Sequence, residues 1–339
     1  MSDFVKYLKK EYGDDMVSEE VKPLSVIPTG SLALDVAIGI GGIPKSKFTE
    51  ISGSEGTGKT TLCLEVSKNA IQAGDKVLYI DVENMLDIDY AIAILGDSYS
   101  QESFIIIQPD TGENALMIVE DGLKSGEFGL IVIDSVGALA PKREKEKDLD
   151  DSTVGETARL ISKFLRRSAF FVRRNDVAVV FINQIRDKVG GYMGGYETPG
   201  GHALKHYLSL RISLNKGKNI EVDKVKIGVE VPFSIKKNKV GVPYRSFTFP
   251  INFGEGIDTY GEIIGFAKML GIIKTRGPYY VFGEEKLGQG RAKAIEYLKE
   301  NTETLDKIRK MCYDTVNSKK SVDESEEEIA SWQTLKSVV

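Results

Sequence analysis

Eight consecutive residues, Gly53, Ser54, Glu55, Gly56, Thr57, Gly58, Lys59 and Thr60, restrict the fold of this 339-residue chain more than any other feature. They match the phosphate-binding pattern G-x-x-x-x-G-K-[ST]. The run before them, 48–52, is short and strand-like. The run after them, 61–73, has helical spacing and stops at Gly74. A glycine turn between a strand and a helix aims backbone N–H groups at one point, and the helix N-terminus adds partial positive charge there. Lys59 is then placed to reach β- and γ-phosphates, and the Thr60 hydroxyl to ligate Mg²⁺. The plain alternative is a chance glycine turn, which needs neither flanking element.

Further apolar runs follow at 77–80, 104–107, 130–133 and 177–182, with helical segments between them. This alternation predicts an α/β fold with a mostly parallel sheet and helices on both faces. The runs are short and nearly all apolar, as doubly covered strands are. Runs 207–214 and 229–235 alternate more and read as antiparallel extensions. From about Gly256 the pattern changes to a helix over 260–270, a Gly/Pro/Tyr stretch near Pro278 and a helix over 291–299, read as a small α+β unit. Residues 1 to about 25 are charged, with Phe4, Leu8 and Tyr12 at near-helical spacing. Such a segment buries too little for its own core and is expected to pack on the body or on a neighbouring subunit. The expected division is a helical N-terminal segment over 1–28, the nucleotide-binding core over 29–255, the α+β C-terminal domain over 256–318 and an acidic, disordered tail over 319–339.

Composition narrows the setting. No apolar run approaches a membrane span, and Met1-Ser-Asp-Phe-Val-Lys lacks a signal-peptide core. Cys63 and Cys312 offer no disulfide framework or zinc spacing, so a reducing cytoplasm is expected. The net charge of −5 does not announce a nucleic-acid binder. Its distribution does more: residues 201–250 hold ten Lys/Arg against three Asp/Glu, and the last nineteen hold five acids and one lysine. That pattern fits an anionic partner and a tail able to compete with it, or a solvated face and a passive terminus.

In open parallel sheets, ligands sit beyond the carboxyl ends of the strands. There the chain places Asp81 and Glu83, Asp134 and Ser135, and Asn183 and Gln184. Asp134, at the end of an apolar strand, is read as the acid serving Mg²⁺ with Thr60. Glu83 is read as the group orienting the attacking water, and Gln184 as a neutral sensor of the γ-phosphate. For each acid the alternative is a helix cap, strongest for Asp81. Residues 185–201 follow Gln184 with six glycines, two tyrosines, Met193, Arg186 and Lys188. A loop this long and glycine-rich reads equally as a single-strand binding loop or as a lid over a small substrate. Lys237 and Lys239 share one face of a strand. Taken alone they read as a solvated sheet face.

The chain closely resembles the bacterial and phage RecA recombinases over nearly its full length. The resemblance is carried by Thr29-Gly-Ser-Leu-Ala-Leu-Asp35 with Gly41-Gly-Ile-Pro44, the phosphate loop, Tyr79-Ile-Asp-Val-Glu83 through Asp87 and Tyr90, Gln108-Pro-Asp-Thr-Gly-Glu113, Val132-Ile-Asp-Ser-Val136, Phe181-Ile-Asn-Gln-Ile-Arg186 and Gly254-Glu-Gly256. It implies a DNA-dependent ATPase that uses ATP and Mg²⁺, forms helical filaments on single-stranded DNA, pairs it with duplex and exchanges strands. By the same resemblance, residues 53–61, Gly53 through Thr61, hold the phosphates, Glu83 activates water, and Asp87 and Tyr90 meet the adenine. Thr60 and Asp134 serve the metal, Gln184 is the switch, and Lys237 and Lys239 reach the neighbouring subunit's ATP.

Two loops, 142–155 and 186–201, are implied to bind DNA. Arg159, Ser162, Arg166, Arg186, Gly200 and Gly201 would hold phosphates, with Val154 and Val189 as wedges and Tyr192 and Met193 in the second loop. Lys286, Arg291 and Lys293 of the C-terminal domain would capture duplex. The chain departs from the family pattern in its highly charged first loop, in Val154, in a second loop one residue short with Tyr192-Met193 and Asp187, and in His206 where an aromatic is frequent. These bear on ATP–DNA coupling and on any promotion of repressor self-cleavage. The rivals are a closed-ring helicase, a filament scaffold with negligible hydrolysis and a small-molecule kinase.

Overall fold

The computed structural model describes residues 2–13, 23–143, 155–187, 196–197 and 199–318. The chain opens with α1 (Asp3–Tyr12), capped by Ser2 and burying none of its residues. Strand β1 (Val26–Ile27) pairs with β2 (Ile43–Pro44) around α2 (Leu32–Ile38). The nucleotide-binding unit then runs β3 (Phe48–Gly53), α3 (Lys59–Gln72), β4 (Lys76–Asp81), α4 (Ile88–Leu95), β5 (Phe104–Ile107), α5 (Gly112–Ser125), β6 (Phe128–Asp134), α6 (Glu156–Arg174) and β7 (Ala178–Gln184). Short strands β8 (Arg186–Asp187) and β9 (Tyr196–Glu197) pair antiparallel, and α7 (Gly201–Tyr207) leads into β10 (Leu210–Leu214). Strands β11 (Lys218–Val222), β12 (Val225–Asn238), β13 (Ser246–Asn252) and β14 (Gly256–Ile257) complete the main sheet.

Its order is β14-β13-β12-β10-β3-β7-β6-β4-β5, with β11 beside β12. From β5 to β10 every neighbouring pair is parallel; from β10 outward the pairs are antiparallel. The expectation that 207–214 is an antiparallel extension is therefore corrected. Tyr207 ends a helix, and β10 runs parallel to β3, presenting only its other edge to β12.

Two apolar layers explain why the strands are apolar throughout. Successive strand residues face opposite ways. Tyr79, Val132 and Val180 join one core with Leu62 and Val66 of α3. Leu78, Ile80, Ile131, Ile133, Val179 and Phe181 join the other with Val119 of α5 and Leu165 of α6.

The C-terminal unit contains α8 (Thr259–Met269), an antiparallel sheet of β15 (Ile273–Arg276), β16 (Tyr279–Phe282) and β17 (Glu285–Gln289), then α9 (Gly290–Glu300) and α10 (Thr302–Ser318). The helix α10 has no counterpart in the sequence reading. Among the described residues no helix is long and apolar enough to cross a membrane. The acidic tail, 319–339, lies outside the described residues.

Candidate functional site

The phosphate loop spans the end of β3 and the first turn of α3. Gly58 caps α3 with φ +82°, and a Cβ there would come within 2.5 Å of Ile251 Cδ1. A Cβ on Gly53 would meet Thr57 Oγ1 at 2.5 Å, so both positions require glycine. Thr57 Oγ1 and Lys59 Nζ each donate to the Ser54 carbonyl at 2.8 Å. Burial pushes the Lys59 ammonium below its ordinary pKa, while the Asp134 and Glu83 carboxylates hold it up.

The strand ends close on this loop. Asp134 Oδ2 accepts from Thr60 Oγ1 at 3.2 Å and from Tyr79 Oη at 2.7 Å. Burial raises the Asp134 carboxyl, the Tyr79 bond lowers it, and the Glu83 charge raises it again. Glu83 Oε1 accepts from Ser135 Oγ and, at 3.1 Å, from Gln184 Nε2. Glu55, Gly56, Lys59, Thr60, Glu83 and Asp134 line a cleft of about 160 Å³, with Gln184 at its wall.

The sequence reading assigns no individual role to three groups in and around the cleft. Tyr79 is hidden inside an apolar strand run, Ser135 is named at its strand end without one, and Gln108 lies outside the strand ends considered. Asp81 takes the structural role: it is buried and accepts from Met85 N, Leu86 N and Gln108 Nε2, which fixes the turn next to Glu83. Asn183 does not line the cleft.

Asp87 caps α4 by accepting from Tyr90 N at 3.1 Å, and the Tyr90 and Thr61 hydroxyls share a hydrogen bond at 2.6 Å. Lys237 and Lys239 do not line their own chain's cleft. Lys237 Nζ donates to the Lys205 and His206 carbonyls at 2.6 and 3.3 Å, and Lys239 Nζ to His206 at 3.3 Å, all at the end of α7. Burial lowers the Lys237 pKa, and the charges of Lys239 and Arg211 lower it further.

A second concavity gathers the implied phosphate holders. Arg159, Ser162 and Arg166 of α6, with Ala158 and Ala203, line a groove of about 340 Å³. Arg166 Nη1 donates to Ser162 Oγ at 2.9 Å. Gly200 caps α7, and a Cβ on Gly201 would lie 3.0 Å from that of Ala158, so the N-terminus of α7 abuts α6. The backbone of Arg186 pairs with that of Glu197. Val154, Val189, Tyr192 and Met193 lie outside the described residues. On the C-terminal unit, Lys286 Nζ sits 5.2 Å over the Tyr279 ring, Arg291 pairs with Asp258 at 3.3 Å, and Lys293 is exposed.

A parallel sheet carrying a glycine phosphate loop, with acids from adjacent strand ends facing it, defines an ATPase of the phosphate-loop class. The family model described as RecA N-terminal domain matches residues 1–258, and that described as RecA C-terminal domain matches 261–317. A relative named Protein RecA from Thermus aquaticus is 43% identical over 311 residues, covering 90% of this chain and 91% of that protein. Those of Campylobacter jejuni subsp. doylei and Syntrophus aciditrophicus are 40% and 38% identical, with 95% or more of each chain covered. The chain belongs to the RecA family of recombinases and is a DNA-dependent ATPase.

Proposed function

We propose that this chain assembles head to tail on single-stranded DNA, pairs that strand with homologous duplex and exchanges strands, with ATP and Mg²⁺ in the cleft between protomers. One observation carries the reading. Gln184 Nε2 donates to Glu83 in the cleft, and Gln184 is also the last residue of β7 before the glycine-rich segment. A group at the γ-phosphate position competes for that amide, so nucleotide state reaches the DNA-facing segment through one residue.

The donor set fits the nucleotide and metal. Thr60 Oγ1 and Asp134 Oδ2 are hard oxygen ligands of the kind Mg²⁺ takes, already within 3.2 Å of each other. When bound, Mg²⁺ supplies charge neutralisation at the phosphate oxygens. Residues 53–61 and Lys59 bind the phosphates, Asp87 and Tyr90 flank the adenine, and Glu83 takes the proton of the attacking water. Lys237 and Lys239 reach the nucleotide of the adjoining protomer, and contacts of this head-to-tail kind do not close, giving a helix.

Arg159, Ser162, Arg166, Arg186, Gly200 and Gly201 hold the strand's phosphates, while Val154, Val189, Tyr192 and Met193 meet its bases. Lys286, Arg291 and Lys293 take duplex. This activity belongs in the cytoplasm. The test measures ATP turnover with and without single-stranded oligonucleotide, together with negative-stain imaging of the ATP-bound mixture. Stimulated turnover and helical threads are expected; closed rings, or turnover indifferent to DNA, would overturn the reading.

A further inference from the structure

Asn183 and Gln184 are consecutive residues at the end of β7, so their side chains leave opposite faces of the sheet. Gln184 goes to Glu83 in the nucleotide cleft. Asn183 is fully buried on the other side, and its Nδ2 makes two hydrogen bonds, to Glu50 Oε1 at 2.9 Å and to the Pro199 carbonyl at 2.9 Å. Two acceptors demand the NH₂ end of the amide, which fixes its orientation. Its Oδ1 has no partner among the described residues, the consequence of turning both N–H groups toward acceptors.

Glu50 lies on β3, three residues before Gly53, and is itself fully buried. Its other oxygen accepts from Arg211 Nε at 2.6 Å. A buried carboxylate of this kind is tolerable only when paired. Arg211 in turn sits opposite Lys237 in the β10–β12 register. Pro199 is where the chain returns from the glycine-rich segment into Gly200 and α7, beside the groove of Arg159 and Arg166.

We propose that Asn183 is a positioning residue for DNA-stimulated turnover: it pins the return stem of the glycine-rich segment to the same strand end that carries Gln184. The segment leaves β7 at Gln184 and comes back at Pro199, so its two ends are held by adjacent residues of one strand. A shift of Gln184 then carries both ends together rather than only the outgoing one. Glu50 aims the amide, and Arg211 balances Glu50.

The inference rests on the DNA-stimulated turnover proposed above, and the test separates the two. ATP turnover of the full chain, of Asn183→Asp and of the double variant Glu50→Gln/Asn183→Asp is measured across concentrations of ATP and of single-stranded oligonucleotide. Asn183→Asp removes both donors with little change of shape. In the double variant, the amide at position 50 donates to the carboxylate at position 183. The strands stay joined and the cluster keeps its charge, but Pro199 still lacks its donor.

The double variant is expected to melt close to the parent and to keep DNA-free turnover within about twofold. KM for ATP stays put, while stimulation by DNA falls about tenfold or more, as misplacing a positioned group does. Undiminished stimulation in the double variant would overturn the proposal. So would DNA-free and DNA-stimulated turnover falling in parallel, which marks a merely structural contact. A parent chain that DNA does not stimulate would remove the underlying reading as well.

Discussion

Glu83 Oε1 receives hydrogen bonds from both Ser135 and Gln184, which fix where that oxygen points. A carboxyl oxygen oriented at the edge of the nucleotide cleft is placed to take a proton from a water there. Glu83→Gln keeps the shape and loses the basicity. Turnover is expected to fall by about 10²–10⁴-fold, the range of general-base contributions, with nucleotide affinity little changed. Single-turnover hydrolysis and equilibrium binding of ATP check this; affinity lost in proportion to turnover would make Glu83 a binding group. Lys59, Thr60, Glu83, Asp134 and Gln184 were legible because each sits in the phosphate loop or at the carboxyl end of a strand or just beyond it. Tyr79 and Asn183 were not. In a strand covered on both faces, apolar patterning does not say which face looks toward the pocket. Tyr79 thus reads as core, although its hydroxyl reaches Asp134. Asn183 reads as a pocket residue, although its amide turns to Pro199.

Helix α6 presents Arg159, Ser162 and Arg166 at spacings of three and four, which is one helical face. The groove exists because α7 packs its glycine N-terminus against that face. Neither helix makes it alone, and the two are far apart in sequence. The parallel core was legible from alternation, whereas the groove was not, because it depends on β10 running beside β3 and so on where α7 is delivered. If the groove holds phosphates, Arg166→Ala should weaken binding to all oligonucleotide sequences alike. The slope of log affinity against log salt should become shallower by about 0.7, one contact's share for a single strand. Anisotropy titrations at several salt concentrations measure this. An unchanged slope would assign Arg166 to stabilising Ser162 and the helix instead.

The small C-terminal unit is tied to the core by a buried acid. Glu262 of α8 accepts from Ser31 Oγ at 2.5 Å, Leu32 N at 3.0 Å and Ala33 N at 3.1 Å, at the start of α2. Asp35, on the same helix α2, accepts from Thr29 N and Oγ1 at 3.0 and 2.7 Å. At the far end, Arg245 joins the Val36 carbonyl to Val316 and Asn317 of α10. Burial pushes Glu262 from 4.5 up to about 8, against its three hydrogen bonds and with the Asp35 charge adding. Burial pushes Asp35 from 3.8 up to about 7, against the Thr29 bonds and the Arg309 charge. Both acids therefore keep protons in the folded chain at pH values where the unfolded chain has released them. The folded state binds more protons across that window, so stability falls as pH rises from about 4 to about 8. Melting temperature should drop between pH 5 and pH 8, and Glu262→Gln, which keeps an acceptor for Ser31 without a titrating proton, should reduce the slope by about half, since two acids share it. Calorimetric melts of both proteins at stepped pH decide the matter. An identical slope in the variant would mean that Glu262 is ionised against α2 throughout and that the junction is a fixed electrostatic cap, insensitive to proton concentration.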